Sequence, residues 1–453
     1  MLHSCRLDST LELCDIAAAR PDQYPYLLDS ATHGPLGRHS LLFRSNGDHL
    51  CLDFTGNLVG PGQGEEFLQR LDDWVSTETN KHVPCSSEDK ADLPFIGGWF
   101  IYLGYEIAAE IEPVVDFPPA TDQFPKAFAS RCPAAIIFCH DEPGSLLLVA
   151  EDQHSIEQMQ QDIAQLKTPT KHNTMPAIEI RPEPAVNFER SVRRIHEYIL
   201  DGDVFQVNLS RNWQGSFEQP VDGLSVYHSL RQSNPAPFAG CVTWQDMTLM
   251  SSSPERLVEL DQGIVQSRPI AGTHPRGNDT RTDAELSSAM LAHPKERAEH
   301  IMLIDLVRND LGRVCQSGSV EVDELMVVES YEHVHHIVSN VRGQLNPDVT
   351  PVDVIRAVFP GGTITGCPKV RCMQIIAELE QRGRSFYTGS MGYLGLDGKM
   401  DLNILIRSML LDNDTISFRT GAGIVADSDP DMEVSETQHK ARGLLRALGD
   451  MDA

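Results

Sequence analysis

Residues 387–426 read YTGSMGYLGLDGKMDLNILIRSMLLDNDTISFRTGAGIVA. Three runs of strand-forming residues stand out: Tyr387–Leu396, Met400–Leu411 and Thr415–Thr420. The first two are separated by Asp397-Gly398 and the last two by Asp412-Asn413, residues that favour tight turns. This pattern predicts a three-stranded antiparallel meander. Upstream, Arg256–Leu260 and Ile264–Pro269 flank the turn Asp261-Gln262-Gly263, and Ala134–Cys139 and Ser145–Ala150 flank another at residues 140–144. Ser40–Arg44 and His49–Phe54 read as a further hairpin through Asn46-Gly47.

Helical periodicity is sparse before Ser155–Leu166. It then marks Phe188–Leu200, Leu224–Gln232, Pro294–Arg308, Pro351–Phe359, Pro368–Gln381 and Met432–Leu448, with a strand at Val204–Ser210. Long antiparallel strands mixed with non-alternating helices predict an α+β fold of antiparallel β-sheets packed with helices, not a doubly wound sheet. Four prolines within residues 167–186 mark a connector, which divides an N-terminal region, 1–166, from a C-terminal domain, 187–453.

Sixty-five acidic residues against 37 basic ones give a formal charge of −28. No basic stripe is visible, so no nucleic-acid partner is expected. An apolar run of the ~18 residues needed to span a membrane is absent, as is a basic-then-apolar leader. The expectation is a cytoplasmic protein without a membrane partner. Ten cysteines lacking any Cys-x-x-Cys pair read as reduced thiols.

Some residues could carry chemistry. Glu296 and Glu299 lie three apart on one helical face; Glu433 and Glu436 repeat the spacing, with Lys440 a turn beyond. Glu436–Lys440 reads either as a solvated i,i+4 pair contributing ~0.3 kcal/mol or, through Glu299 and Glu436, as part of an oxygen site for Mg²⁺. Gly361 to Gly366 has phosphate-loop spacing, but Cys367-Pro368 occupies the place of Lys-Ser/Thr, which excludes a nucleotide P-loop. The glycines of Thr420-Gly421-Ala422-Gly423 fit close backbone approach to an anion or a β-bulge. His335 and His336, adjacent on a strand, point to opposite faces.

Five stretches, in this order and separation, resemble the chorismate-utilising enzymes: Pro269-Ile270-Ala271-Gly272-Thr273, residues 305–311 (DLVRNDL), residues 366–371 (GCPKVR), residues 420–425 (TGAGIV) and residues 436–441 (ETQHKA). The resemblance covers about Phe188 to Leu448, and residues 27–31 and 95–98 match the family's N-terminal region more loosely. Members that activate water carry Lys where this chain has Gln206. A neutral amide cannot deprotonate water, which points to ammonia. Residues 206–209 (QVNL), 334–336 (VHH), 359–366 (FPGGTITG), 389–393 (GSMGY) and 401–404 (DLNI) look like aminodeoxychorismate synthase. Ala271, however, stands where many of those enzymes have a nucleophilic Lys, as it does in anthranilate synthases, and alanine offers no nucleophile.

The resemblance implies amination of chorismate to 4-amino-4-deoxychorismate, a precursor of 4-aminobenzoate and folate. Amination at C2 to anthranilate, or a catalytically silent subunit, are the alternatives. It also implies Mg²⁺ on Glu299 and Glu436, and Glu255 as the acid for the departing 4-hydroxyl. Thr273 and His336 are placed near the ring, and Gln206, Tyr393, Arg407, Gly421, Gly423 and Lys440 around the substrate. A tryptophan pocket is implied near Leu28, Ser30 and Arg38, although Asp29 replaces the usual Glu. The chain has no Gly-x-Cys-x-Gly elbow, so ammonia is expected from a separate glutamine amidotransferase subunit.

Overall fold

The computed structural model describes all residues except 1, 33–36, 82–92, 167–174, 277–282, 284–285, 287, 289, 331–333 and 451–453. Two large antiparallel sheets face one another. The first runs in the order His3–Asp8, Ser145–Ala150, Ala134–Cys139, His39–Arg44, Tyr26–Asp29, Phe238–Trp244, Met247–Ser253, Ser408–Asp412, Thr415–Ile424, Gln206–Ser216, Arg181–Pro182. The second runs Ile270–Pro275, Val334–Gln344, Ile264–Ser267, Arg256–Asp261, Met400–Asn403, Ser390–Gly395, Gly98–Leu103, Ala127–Cys132, His49–Leu52, Leu58–Val59. Both sheets draw strands from either side of residues 167–186.

Aromatic residues from both sheets fill the space between them: Tyr26 and Phe43 from the first, Phe100, Phe128 and Tyr393 from the second. Tyr26 stacks on Phe100 with ring centroids 4.4 Å apart. Helices cover the outer faces. Leu13–Ala19, Gln153–Gln165, Gly223–Ser233 and Pro430–Ala447 pack on the first sheet, and Phe67–Lys81, Pro294–Gly312 and Pro351–Val358 on the second. The α+β architecture expected from the sequence is the one observed. No helix among the described residues is long and apolar enough to cross a membrane.

The expected meander forms, but it does not stay in one sheet. Met400–Asn403 pairs within the second sheet and Ser408–Asp412 within the first. The chain crosses between them at residues 404–407, where Arg407 takes a left-handed φ of 52°. The hairpin expected at Asn46-Gly47 is a corner of the same kind. His39–Arg44 pairs with Ala134–Cys139 in one sheet, and His49–Leu52 pairs with Ala127–Cys132 in the other. Turn residues dictate that the chain bends; which strand it then meets depends on the core. The hairpin at Gln262-Gly263 does form, with φ of 50° and 77° at the two turn positions.

The structure also has elements the periodicity did not reveal, notably the helix Phe67–Lys81 and the paired strands Glu321–Ser330 and Val334–Gln344.

Candidate active site

Gln206–Ser216 and Thr415–Ile424 pair without a break in register from Val207↔Ile424 to Ser216↔Thr415. The bulge reading of Gly421 and Gly423 therefore falls; these glycines permit close approach. A Cβ on Gly421 would stand 2.6 Å from the Tyr387 hydroxyl and 3.1 Å from Asn208 Oδ1, and one on Gly423 would stand 2.2 Å from Gln206 Nε2. Gln206 Oε1 and Asn208 Oδ1 are buried and accept no hydrogen bond from the described residues.

Lys440, on the helix Pro430–Ala447, donates to Gly421 O at 2.9 Å and pairs with Glu436 at 2.6 Å. The electrostatic influences of these groups tie the surrounding side chains together. Lys440 acts on Glu255. Glu436 and Tyr387 act on Arg407, whose own pKa is lowered by burial, and Arg407 acts on His336.

Glu255 follows the buried Ser251-Ser252-Ser253 and is itself 6% exposed. Its backbone is fixed at both ends: its N–H donates to Ser253 Oγ, and its carbonyl accepts from Ile404 N–H. Burial pushes its carboxyl pKa up to about 7, against smaller opposing effects from Thr363, the Ile270 N–H and Lys440. Glu255 lines a cavity of about 20 Å³, with room for one water. A glutamate here keeps its proton up to about pH 7, where it is half ionised.

His336 lies on Val334–Gln344 opposite Thr273, whose side chain lies outside the described residues. Burial, then Arg407, lower the His336 pKa to about 4, so the imidazole is neutral. His335 points the other way, to Asp283 at 2.8 Å and Ser330 at 2.8 Å. Ala271 pairs with Ile337, and Gly272 is the extra residue between Ala271 and Thr273. A Cβ on Gly272 would stand 2.7 Å from Glu296 Oε2, and the helix Pro294–Gly312 packs against both Ile270–Pro275 and Val334–Gln344.

Tyr393 is placed elsewhere. It lines a cavity of about 440 Å³ together with Leu28, Asp29, Ser30, Arg38 and Met391, within reach of Phe43 and Phe95. Tyr387 takes the position beside Gly421. The two tyrosines are six residues apart, so strand alternation would put them on one face; the left-handed Thr388, with φ of 62°, breaks that alternation. In the Leu28–Ser30 region, Ser30 Oγ donates to His39 O and Pro237 O. The exposed Arg38 pairs with Asp141 at 3.5 Å. Asp29 is occupied by Arg231 at 2.6 Å, Ser40 Oγ at 2.9 Å and Tyr227 at 3.2 Å.

Sequence reading missed Tyr387, Asn208 and Thr363 as site residues. Asn208 sits two residues from Gln206 on the same strand, and that spacing alone could have found it.

Residues 55–446 match the family described as chorismate binding enzyme. An anthranilate synthase component I-like protein of Synechocystis is 45% identical over 96% of this chain and 87% of its own. The aminodeoxychorismate synthase component 1 of Bacillus subtilis is 38% identical over 83% of this chain and 80% of its own. The crystal structure of anthranilate synthase component I from Streptococcus pneumoniae superimposes with a TM-score of 0.77 at 31% identity, covering 90% of this chain and 92% of that one. The menaquinone-specific isochorismate synthase MenF of Escherichia coli, at 19% identity and a TM-score of 0.73, shares the fold. On this evidence the chain belongs to the chorismate-binding enzymes.

Proposed function

We propose that the protein aminates chorismate at C4 with ammonia, giving 4-amino-4-deoxychorismate. The observation that carries the chemistry is Glu255, a carboxyl with a pKa of about 7 under the influence of Lys440, and the choice of C4 rests on the likeness of residues 206–209, 334–336, 359–366, 389–393 and 401–404 to aminodeoxychorismate synthase. Hydroxide is a poor leaving group, so the 4-hydroxyl needs a proton as it departs. The ammonia lone pair forms the C4–N bond while the C4–O bond breaks with its electrons onto oxygen. Glu255 donates its proton to that oxygen, which leaves as water, and the new amine gives up a proton.

Lys440, Arg407 and the opened backbone at Gly421 and Gly423 suit the substrate's enolpyruvyl carboxylate. The acceptor oxygens of Gln206 and Asn208 suit an N–H donor and leave water unactivated. Neutral His336 orients the hydroxyl. Ala271 provides no nucleophile, so this route has no covalent intermediate.

Glu299 and Glu436 would hold Mg²⁺, which when bound offsets the charge of the ring carboxylate. Among the described residues no three His, Cys, Asp or Glu side chains converge. That is compatible with an ion that takes one or two protein carboxylates and keeps positions for water and substrate oxygens. Ammonia would come from a separate glutamine amidotransferase subunit. The cavity beside Leu28, Ser30 and Arg38 is the candidate tryptophan pocket.

A second reading, amination at C2 with loss of pyruvate to give anthranilate, is favoured by Ala271 and by relatives named anthranilate synthase component 1. The purified chain incubated with chorismate, Mg²⁺ and ammonium separates the two. We expect a product that yields 4-aminobenzoate when a lyase is added. Anthranilate fluorescence instead would transfer the chain to the second reading, and no turnover would support a silent subunit.

A further inference from the structure

Beneath the candidate site lies a guanidinium to which no role is assigned. Arg384 is 2% exposed, and all five of its N–H groups are used. Nε donates to Glu380 Oε2 at 3.1 Å, and Nη2 to Glu380 Oε1 at 2.7 Å and Asn208 O at 2.8 Å. Nη1 donates to Ile364 O at 3.0 Å and Thr388 Oγ1 at 3.3 Å. Its face also lies 5.6 Å from the Tyr387 ring centroid and 5.0 Å from that of Tyr105.

Asn208 and Ile364 lie on neighbouring segments, linked also by Asn208 N–H to Thr365 O at 2.9 Å and by the pairing of Val207 with Gly366, and the guanidinium ties both to the Glu380–Thr388 segment. Asn208 presents its Oδ1 towards Gly421. Ile364 follows Thr363, which faces Glu255. Thr388 and Tyr387 form the left-handed kink that carries the phenol to Gly421. The kink is secured from behind by Glu106, whose carboxylate accepts from Arg384 N at 2.6 Å and Ser385 N at 3.1 Å.

We infer that Arg384 is a positioning residue: it sets the spacing between the proton donor on one side of the cleft and the Asn208–Tyr387 wall on the other. It touches neither substrate nor reacting atoms. A planar fork with five donors can bridge three backbone directions at once, which an ammonium cannot. Displacing a wall by about 1 Å can lower turnover about 100-fold. Lys440 and Arg407, which would hold the substrate in the ground state, are anchored independently, through Gly421 and Ser252.

This inference rests on the reading that the cleft turns over chorismate. The test pairs Arg384→Lys with Arg419→Lys. Arg419 is 6% exposed and binds the same Glu380 at 2.7 Å, but its Nε donates to Ser210 Oγ instead of to the cleft segments. Both variants should lose melting temperature. Arg384→Lys should lose about 30-fold or more in kcat with the chorismate KM within about 3-fold, whereas Arg419→Lys should keep kcat within about 3-fold. Equal kcat losses in the two variants, or a kcat loss that simply tracks melting temperature, would overturn the assignment. If Arg384→Lys does not fold, Thr388→Val removes one of the five acceptors. Because Thr388 Oγ1 also bonds Tyr387 O at 2.6 Å, this variant too should lose melting temperature; it should lower kcat about 10-fold with the chorismate KM within about 3-fold, and a kcat within about 3-fold of wild type would overturn the assignment. An inactive wild-type chain would instead defeat the underlying functional reading.

Discussion

Glu255, 6% exposed, and Glu380, with a side chain 2% exposed, are both glutamates whose carboxyls are withdrawn from solvent, yet the protein shifts their pKa values in opposite directions. Burial pushes both carboxyls towards the protonated form. Around Glu380, Arg384 and Arg419 more than cancel that push, and Ser210 donates through both N–H and Oγ, so its pKa ends below the ordinary value. Around Glu255 no cation is in contact among the described residues, and its pKa rises to about 7. Depth of burial does not choose the protonation state; the charges within contact distance do. One glutamate is thereby available to frame the site and the other to deliver a proton.

Breaking the first of these arrangements should have the largest effect. Glu380→Gln leaves two buried guanidinium groups without a counter-charge, and should destabilise the fold by about 3–5 kcal/mol in urea unfolding. A loss below about 1 kcal/mol would mean that the cluster is held by packing alone.

The second test concerns the proton. Glu255→Gln should lower turnover at least about 100-fold, some 2.7 kcal/mol in the barrier, with the chorismate KM within about 3-fold. A loss of less than about 10-fold in the chemical step would remove the acid assignment.

The third sharpens the contrast through pH. A carboxyl whose folded pKa is raised stabilises the native state at low pH, where the folded form keeps a proton that the unfolded form begins to release near 4.3–4.5. That stability is lost as pH rises through about 7. Between pH 5.5 and 8 the stability of the wild type relative to Glu255→Gln should fall by about 2 kcal/mol. Glu106, also raised to about 7 by burial, titrates in both proteins and cancels from the difference. A rise over the same interval would show that Glu255 is ionised in the folded protein.

Much of this is legible in the amino-acid sequence. Regular helices such as Pro430–Ala447 and hairpins closed by Gln262-Gly263 follow from periodicity and turn chemistry, both local properties. The family followed from five ordered stretches. Tyr387 was not legible, because its separation from Tyr393 satisfies strand alternation and only the Thr388 kink parts them. The roles of Asn46-Gly47 and of residues 404–407 as corners between sheets also escaped, since a bend looks the same whichever strand follows.

By itself, then, the sequence determined the α+β class, most of the regular elements, the acidic balance and the residues that carry the family likeness. These depend on neighbours within a few positions or on ordered motifs. The tertiary structure alone decided that the carboxyl pKa of Glu255 is raised while that of Glu380 is lowered, that Arg407 sits at a sheet crossing, and that Arg384 joins Asn208, Ile364 and the Glu380–Thr388 segment beneath the cleft. These shifts and contacts join groups near in sequence, such as Glu380 and Arg384, to groups far from them, such as Asn208 for Arg384 and Lys440 for Glu255, and only packing brings the distant ones within reach.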